Sequence, residues 1–123
     1  MVFVLVVDDE EDVKPLFLQR FRRELKKNLV KFDFAFSGQQ ALDHLSSLDD
    51  MDCVLILSDI NMPGMSGLDL LKEIKSRYPE LRVMMVTAYG DDDNYKKAME
   101  FGADGFLNKP VDFSHLKKTI LES

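Results

Sequence analysis

The chain has 123 residues, of which 46% are hydrophobic, so it has the size of one domain with an ordinary core. Its net charge of −6 argues against a nucleic-acid-binding surface and suits a cation or a basic partner instead. The single Cys53 excludes an internal disulfide, and two separated histidines exclude a zinc cluster. The apolar runs are only as long as strands, which excludes a membrane span. We therefore expect a cytoplasmic protein.

The first part of the chain alternates strand and helix patterns. A continuous apolar run at Val2–Val7 predicts a central strand covered on both faces. Apolar residues spaced four apart then predict one helix, at Val13, Phe17, Phe21 and Leu25. Asp12 is its expected cap, and Pro15 fits its first turn. Alternating aromatic residues predict a half-buried strand at Phe32, Phe34 and Phe36. Ser37 and Gln40 give a capping-box signal for the next helix.

The rest of the chain repeats this alternation. Three further strands are predicted at Cys53–Ser58, Arg82–Thr87 and Gly105–Asn108. The first of them would hold Cys53 as a buried, reduced thiol. Leu68, Leu71 and Ile74 predict the third helix. Asp91–Asp93 opens the fourth helix, Gly102 closes it, and Asp112 or Ser114 caps the last one. Strands and helices that alternate five times predict an α/β domain with a parallel sheet.

Polar residues that can do chemistry follow the predicted strands. They are Asp8, Asp9, Glu10, Ser58, Asp59, Thr87, Asn108 and Lys109. In an open parallel sheet, ligands bind at the edge where the carboxyl ends of the strands meet. We therefore expect an acid pair, a lone Asp, a Thr and a Lys to converge at that edge.

The carboxylates of Asp8, Asp9 and Asp59 would repel one another there, because two unit charges ~4 Å apart cost roughly 4 kcal/mol at an effective dielectric near 20. A divalent cation between them offsets this repulsion, and all-oxygen ligands suit Mg²⁺ or Mn²⁺. A carboxylate can also act as a nucleophile and form an aspartyl-phosphate. Lys109 would then neutralise the phosphoryl oxygens, and the Thr87 hydroxyl would donate a hydrogen bond to one of them.

Each of these residues also has a purely structural interpretation. An Asp after a strand, as at Asp59, is typical of a turn or a helix cap, and an acid pair such as Asp8 and Asp9 is typical of a solvated loop. Phe106 is most simply a core residue. The hypothesis of a phosphate and metal site depends on the conjunction of these residues at one sheet edge.

Four segments of the chain match a known pattern. They read VLVVDDE at residues 4–10, SDINMPGMSG at 58–67, VTA at 86–88 and FLNKP at 106–110. With these motifs the chain resembles, over residues 1–123, a receiver domain of the two-component response-regulator family. The second segment matches the family pattern D-x-x-M-P-x-M-x-G at every fixed position. The resemblance implies a flavodoxin-like (βα)5 three-layer sandwich with five parallel strands in the order 2-1-3-4-5.

The resemblance also implies a role for the residues at the sheet edge. Asp59 would be the phosphoacceptor, and Thr87 and Lys109 would contact the phosphoryl group. Asp9 would bind Mg²⁺ directly, Asp8 would assist through water, and Asp59 would complete the carboxylate ligands. None of these residues is missing, which argues against a receiver that is never phosphorylated.

Four further roles follow from the same resemblance. The backbone carbonyl of Asn61 would bind the metal, and the Lys109–Pro110 peptide bond would be cis. Phe106 would be the aromatic switch residue, without the hydroxyl that a tyrosine offers there. Asn61 and Tyr89 would border the path of the water that hydrolyses the phosphoryl group. They would tune its lifetime, Asn61 by holding a water and Tyr89 by excluding it.

The implied function is a signalling switch. A sensor histidine kinase or a phosphotransfer protein would supply the phosphoryl group, and the chain would catalyse its own phosphorylation and slow self-dephosphorylation without turning over an external substrate. The face of the fourth helix, fifth strand and fifth helix would repack to control a downstream protein or a C-terminal effector domain. We expect a monomer or a weak phosphorylation-dependent dimer that binds neither nucleic acid nor membrane. Met1 before the first strand indicates a natural start, and the abrupt end at Ser123 indicates truncation.

Two other functions compete with this interpretation. A phosphatase of the haloacid-dehalogenase type also uses a nucleophilic Asp, but it normally needs a second Asp two residues later, where this chain has Asn61. A pure interaction module would not need the full set of acids, Thr and Lys. A dinucleotide-binding enzyme is excluded because no Gly-rich loop follows the first strand.

Overall fold

The computed structural model describes residues 1–48, 54–88 and 91–121. Its strands are β1 (Val2–Val7), β2 (Val30–Ala35), β3 (Val54–Asp59), β4 (Arg82–Ala88) and β5 (Gly105–Lys109). All five are parallel and lie in the order β2-β1-β3-β4-β5, which confirms the predicted sheet. The continuous apolar runs form the central strands because both faces of those strands are covered.

Helices cover the two faces of the sheet. They are α1 (Val13–Arg20), α2 (Arg22–Lys26), α3 (Gly38–Ser46), α4 (Gly67–Arg77), α5 (Asp92–Glu100) and α6 (Phe113–Leu121). Alternate residues of each strand enter two separate cores. Leu5 and Ile56 pack with α3, α4 and α5 on one face, whereas Val6 and Leu57 pack with α1, α2 and α6 on the other. This is the predicted three-layer sandwich. No helix in the described ranges is long and apolar enough to cross a membrane.

The first helix differs from its prediction in two respects. The expected single helix is divided at Phe21, whose φ of −103° and ψ of 18° are not helical. Phe21 is fully buried against Phe32 at a ring-centroid distance of 4.8 Å, so packing holds the backbone at the bend. Asp12 precedes the helix but makes no side-chain cap, because its own backbone is already in the right-handed helical region, whereas a capping residue is normally extended.

Several strands end at other residues than predicted, and β3, β4 and β5 each extend one residue further. Phe36 lies beyond the end of β2, because its backbone N–H donates to Gln40 Oε1 at 2.9 Å instead of extending the strand. Ser37 Oγ accepts from the Gln40 N–H at 3.1 Å, so the predicted capping signal of α3 is confirmed. The third strand begins at Val54, and Cys53 with its predicted buried thiol lies outside the described residues.

The last two helices begin at acidic caps. Asp91 Oδ1 accepts from the Asn94 N–H at 3.2 Å at the start of α5, and Gly102, with a φ of 94°, follows the end of that helix. Asp112 Oδ1 accepts from the Ser114 and His115 N–H groups at 3.0 and 3.2 Å, so Asp112 rather than Ser114 caps α6. The division of the first helix means that the predicted fourth and fifth helices are α5 and α6.

Candidate functional site

The strand register brings the predicted site residues to one edge of the sheet. Val7 pairs with Ser58, so Asp8 and Asp59 are the next residues along two neighbouring strands. Asp59 in turn pairs with Val86, which places Thr87 one residue further toward the same edge. Asp8, Asp59 and Thr87 are buried at this edge, with exposed fractions of 7%, 6% and 0%. The expected convergence therefore exists.

Three carboxylates lie together at this edge. Asp8, Asp9 and Asp59 each offer one oxygen, and these oxygens lie within 4.8 Å of one another. Asp9 is exposed, whereas Asp8 and Asp59 are buried. A set of oxygen ligands with one solvent-facing member fits Mg²⁺, which keeps several waters and is held by few carboxylates. The residues present therefore fit the metal that the sequence predicts.

Burial makes the ionised form of the Asp8 carboxyl less favourable. Burial raises the pKa of Asp8, and the negative charge of Asp59 raises it further. The Glu10 N–H, which donates to Asp8 Oδ1 at 3.0 Å, opposes this change in the pKa, as does the positive charge of Lys109. The carboxylate form of Asp8 is therefore less stable in the folded chain than in water, which favours a cation as its partner.

Lys109 lies against both buried acids. Its Nζ donates to Asp59 Oδ2 at 3.0 Å and lies 3.8 Å from Asp8 Oδ2. Burial alone would lower the pKa of Lys109, but the hydrogen bond to Asp59 and the charges of Asp59 and Asp8 outweigh it, so its pKa is raised. The charged form of Lys109 is therefore favoured beside the predicted phosphoacceptor. The Lys109–Pro110 peptide bond is cis.

Backbone hydrogen bonds and a close contact with Gly67 fix the backbone around Asp59. Ile60 N–H donates to the Val86 carbonyl at 3.0 Å, and Gly67 N–H donates to the Ile60 carbonyl at 2.7 Å. A Cβ at Gly67 would overlap the carbonyl oxygen of Asp59, so only glycine fits there. This role of Gly67 was not predicted, although the fixed glycine of the 58–67 motif was a signal for a close backbone approach. Asn61 is exposed, and its N–H lies 3.4 Å from Asp59 Oδ1.

The Thr87 hydroxyl has no hydrogen-bond partner among the described residues, although Thr87 is fully buried. A buried hydroxyl without a partner costs about 1–3 kcal/mol, so such groups are uncommon in folded proteins. The hydroxyl lies at the same edge as Asp59 and Lys109. It is therefore available to a group from outside these residues.

Phe106 is half-buried on β5, beside Met85 of β4. The ring of Tyr95 on α5 meets it edge-on, with centroids 4.9 Å apart and planes at 83°. Tyr95 did not emerge from the sequence, because its place opposite Phe106 depends on how α5 packs on β5. Tyr89, the other aromatic residue that the sequence singled out, lies outside the described residues.

A cleft of about 800 Å³ leads away from this edge. Asp8, Asp59 and Lys109 line one end, and apolar side chains of α1 and α6, including Leu16 and Phe113, line the other. The cleft joins the site to the surface between the two helices. This cleft was not predictable from the sequence, since it forms between elements that are distant along the chain.

Comparison with known proteins identifies the family. A family model described as response regulator receiver domain matches residues 4–121. The response regulator protein PilR of Pseudomonas aeruginosa is 35% identical over 116 residues, which cover 94% of this chain and 24% of PilR. Sporulation initiation phosphotransferase F of Bacillus subtilis is 32% identical over 117 residues, which cover 95% of this chain and 89% of that protein.

Solved structures agree with this assignment. The response regulator TrrA from Thermotoga maritima, in complex with Mg²⁺–BeF, is 30% identical with a TM-score of 0.78, covering 99% of this chain and 98% of TrrA. The chain spans between a fifth and a third of the length of the first curated relatives that it matches. On its sequence, its fold and its match to the family model, the chain belongs to the response regulator receiver domain family.

Proposed function

We propose that this chain is a phosphorylation-activated switch in which Asp59 accepts a phosphoryl group from a phosphohistidine of a sensor kinase or phosphotransfer protein. The observation that carries the proposal is the contact between Asp59 Oδ2 and Lys109 Nζ at 3.0 Å, within a cluster that also holds the carboxylates of Asp8 and Asp9. A carboxylate nucleophile, a cation and an acidic metal site are the components that phosphoryl transfer needs.

The transfer is an in-line displacement. A carboxylate oxygen of Asp59 forms a bond to phosphorus while the phosphorus–nitrogen bond of phosphohistidine breaks, and the ring nitrogen keeps the electron pair of that bond. The imidazole leaves as the neutral ring, because its other nitrogen already carries a proton. Lys109 then pairs with a phosphoryl oxygen in place of Asp59 Oδ2, and the free hydroxyl of Thr87 donates to another.

Asp8, Asp9 and Asp59, together with the backbone carbonyl of Asn61, would hold Mg²⁺ or Mn²⁺, which neutralises charge on the phosphoryl oxygens when bound. The chain positions its own acceptor and turns over no external substrate. Asn61 and Tyr89 tune how long the phosphoryl group lasts, by admitting or excluding the water that hydrolyses it.

The signal passes from Thr87 to the neighbouring strand. Thr87 pairs with Asn108, and Phe106 lies two residues earlier on the same strand. When Thr87 moves toward the phosphoryl group, space opens for Phe106 to turn inward, and the face formed by α5, β5 and α6 repacks. That face controls a downstream protein or a C-terminal effector domain in the cytoplasm, and the chain acts as a monomer or a weak phosphorylation-dependent dimer.

The proposal is tested with phosphoramidate, a small donor with the phosphorus–nitrogen bond of phosphohistidine. Incubation with Mg²⁺ should add one phosphoryl group to the intact chain, measured by mass, and chelation of the metal should slow the addition strongly. Asp59→Asn should abolish it, whereas Asp69→Asn on the exposed surface of α4 should not. Equal labelling of the Asp59→Asn variant would refute the proposal.

A further inference from the structure

Each end of β5 is held by a pair of one lysine and one aspartate. At the end of the strand, Lys109 Nζ donates to Asp59 Oδ2 at 3.0 Å. At its start, Asp104 directly precedes the strand, and Asp104 Oδ2 accepts from Lys75 Nζ of α4 at 2.7 Å. Phosphorylation of Asp59 alters the first pair, because Lys109 then contacts the phosphoryl group. The second pair lies at the opposite edge of the sheet, away from the chemistry.

The Lys75–Asp104 pair joins three elements through four short hydrogen bonds. Besides its bond to Asp104, Lys75 Nζ donates to the Leu81 carbonyl at 2.7 Å, just before β4. Asp104 Oδ2 also accepts from the Val83 N–H at 2.8 Å, and the Asp104 N–H donates to the Val83 carbonyl at 2.8 Å. The end of α4, the start of β4 and the start of β5 are therefore connected. We refer to these bonds among Lys75, Leu81, Val83 and Asp104 as the β5 clasp.

The environment of Lys75 distinguishes the β5 clasp from an ordinary surface ion pair. The Lys75 side chain is only 19% exposed, and its methylene groups pass beside Gly102, where a Cβ would meet them at 3.8 to 4.0 Å. Lysine is rarely withdrawn from water to this extent unless its ammonium group is paired. Asp104 is 41% exposed, but its Oδ2 accepts two hydrogen bonds at once, one of them from a cation. Hydrogen bonds between ionised groups are roughly twice as strong as neutral ones, so the start of β5 is firmly held.

We infer that the β5 clasp is the fixed end of the switch, and that Lys75 and Asp104 are positioning residues for the signal from Asp59. The inference rests on the proposed function, because it concerns how that signal leaves the site. With the start of β5 held against β4, a change at Lys109 turns the strand about its fixed end. Phe106 and the helix that packs on it then turn with the strand. A strand that is free at its start would shift as a whole and would absorb the change locally.

The position of Phe106 relative to the β5 clasp supports this direction of movement. Phe106 is the second residue of β5, so it lies two residues after Asp104 and three before Lys109. Its ring meets the ring of Tyr95 in the first half of α5, with centroids 4.9 Å apart. A strand fixed next to Phe106 changes the direction of this ring with little displacement of its backbone. The β5 clasp therefore converts a change at Lys109 into a change at the contact with α5.

The test uses variants of the full chain, with beryllofluoride and Mg²⁺ as the mimic of the phosphoryl group. In Lys75→Met, NMR changes at Thr87 should be retained in full, whereas those at Tyr95 and along α5 should fall by about half or more. Lys75→Arg keeps the cation and should restore most of the response of α5. Asp104→Asn retains an oxygen for the Val83 N–H and is a milder second variant, which should give the same result as Lys75→Met.

Two further variants separate positioning from a general loss of stability. Lys72 lies one turn before Lys75 on α4, and its Nζ is 4.2 Å from the ring centroid of Phe101, just after α5. Within the described residues Lys72 makes no hydrogen bond to β4 or β5, so Lys72→Met is the matched control. Leu42→Val lowers stability by removing a methylene from the buried face of α3, far from β5 along the sheet. Both variants should show the full response of α5.

The outcomes separate this inference from the proposed function. Labelling of Asp59 by phosphoramidate, measured by mass, should be unchanged in Lys75→Met. Intact labelling with a full response of α5 in both Lys75→Met and Asp104→Asn would overturn the inference and leave the proposed function standing. An equal loss of the α5 response in Lys72→Met or Leu42→Val would also overturn it. Absence of labelling in the unmodified chain would refute the proposed function itself, and the inference with it.

Discussion

Lys109 Nζ lies 3.0 Å from Asp59 Oδ2 and 3.8 Å from Asp8 Oδ2, so one cation compensates two buried carboxylates. The same lysine is needed beside a phosphoryl group on Asp59. Lys109 therefore pairs with carboxylates in the resting fold and with the phosphoryl group after phosphorylation. It cannot make both sets of contacts fully at once, and the effect of each can be measured.

Replacing this lysine should destabilise the metal-free protein. In Lys109→Met we expect the free energy of unfolding at neutral pH to fall by about 1–2 kcal/mol, less than for a fully buried pair, because the Lys109 side chain is 39% exposed and solvent screens it. Mg²⁺ should reduce this difference by compensating the same carboxylates. Urea titrations measure this difference in the free energy of unfolding, with Lys97→Met as the control. A difference that grows with Mg²⁺ would contradict this account.

The pH dependence of the same difference has a defined sign. The pKa of Lys109 is raised in the folded chain above its ordinary value of 10.5. A raised pKa stabilises the fold fully below 10.5, and the contribution disappears as the pH rises through the folded value. At neutral pH and above, the unmodified chain should thus keep its advantage over Lys109→Met until the pH rises through that alkaline range.

Asp8→Asn should stabilise the metal-free chain. Burial raises the pKa of Asp8, so its ionised form costs stability that increases as the pH rises from 3.8 through the folded pKa. Asparagine keeps the oxygen that accepts the Glu10 N–H and carries no charge. We expect a gain on the order of 1 kcal/mol at pH 7 and a smaller rise in melting temperature on adding Mg²⁺. A variant that melts lower without metal and responds fully to Mg²⁺ would show that Asp8 is not a ligand.

Thr87→Val separates stability from signalling. Valine keeps the shape of threonine and removes a buried hydroxyl that has no hydrogen-bond partner among the described residues, so the melting temperature should stay the same or rise. The variant should still be labelled at Asp59 but should transmit little of the change to Phe106. Thr87→Ser, which restores the hydroxyl, should recover the transmission. NMR signals of β5 before and after labelling give the comparison, and a full response of the valine variant would exclude Thr87 as the link.

The edge-on contact between Tyr95 and Phe106 should favour the resting arrangement. Such aromatic pairs contribute about 0.5–1.5 kcal/mol. Tyr95→Leu should therefore shift the equilibrium toward the activated arrangement by roughly two- to tenfold, so that a lower concentration of a phosphoryl analogue gives a half-maximal response. Tyr95→Phe retains the ring and should behave like the unmodified chain. A higher midpoint in Tyr95→Leu would mean that the contact belongs to the activated arrangement instead.

The site was predictable because its residues follow strands. Once the apolar runs are assigned to parallel strands, the alignment of their carboxyl ends places Asp8, Asp59 and Thr87 together without further knowledge of packing. The motif at 58–67 then distinguishes this arrangement from an ordinary acidic loop. These inferences need only local sequence and the geometry of a sheet.

Features that depend on packing between distant elements were not predictable. The stripe Val13, Phe17, Phe21 and Leu25 has the same spacing whether the helix is continuous or bent, so the break at Phe21 leaves no periodic signal. The contact of Tyr95 with Phe106 depends on the placement of α5.

The central claim is that a phosphoryl group on Asp59 changes a distant face of the chain. Beryllofluoride with Mg²⁺ mimics that group, and a relative forms such a complex. NMR spectra of the full chain should show stoichiometric changes at Thr87, at Phe106 and across α5, β5 and α6, and none of them in Asp59→Asn. Changes confined to the loops around Asp8 and Asp59, with β5 unaltered at saturation, would contradict the account.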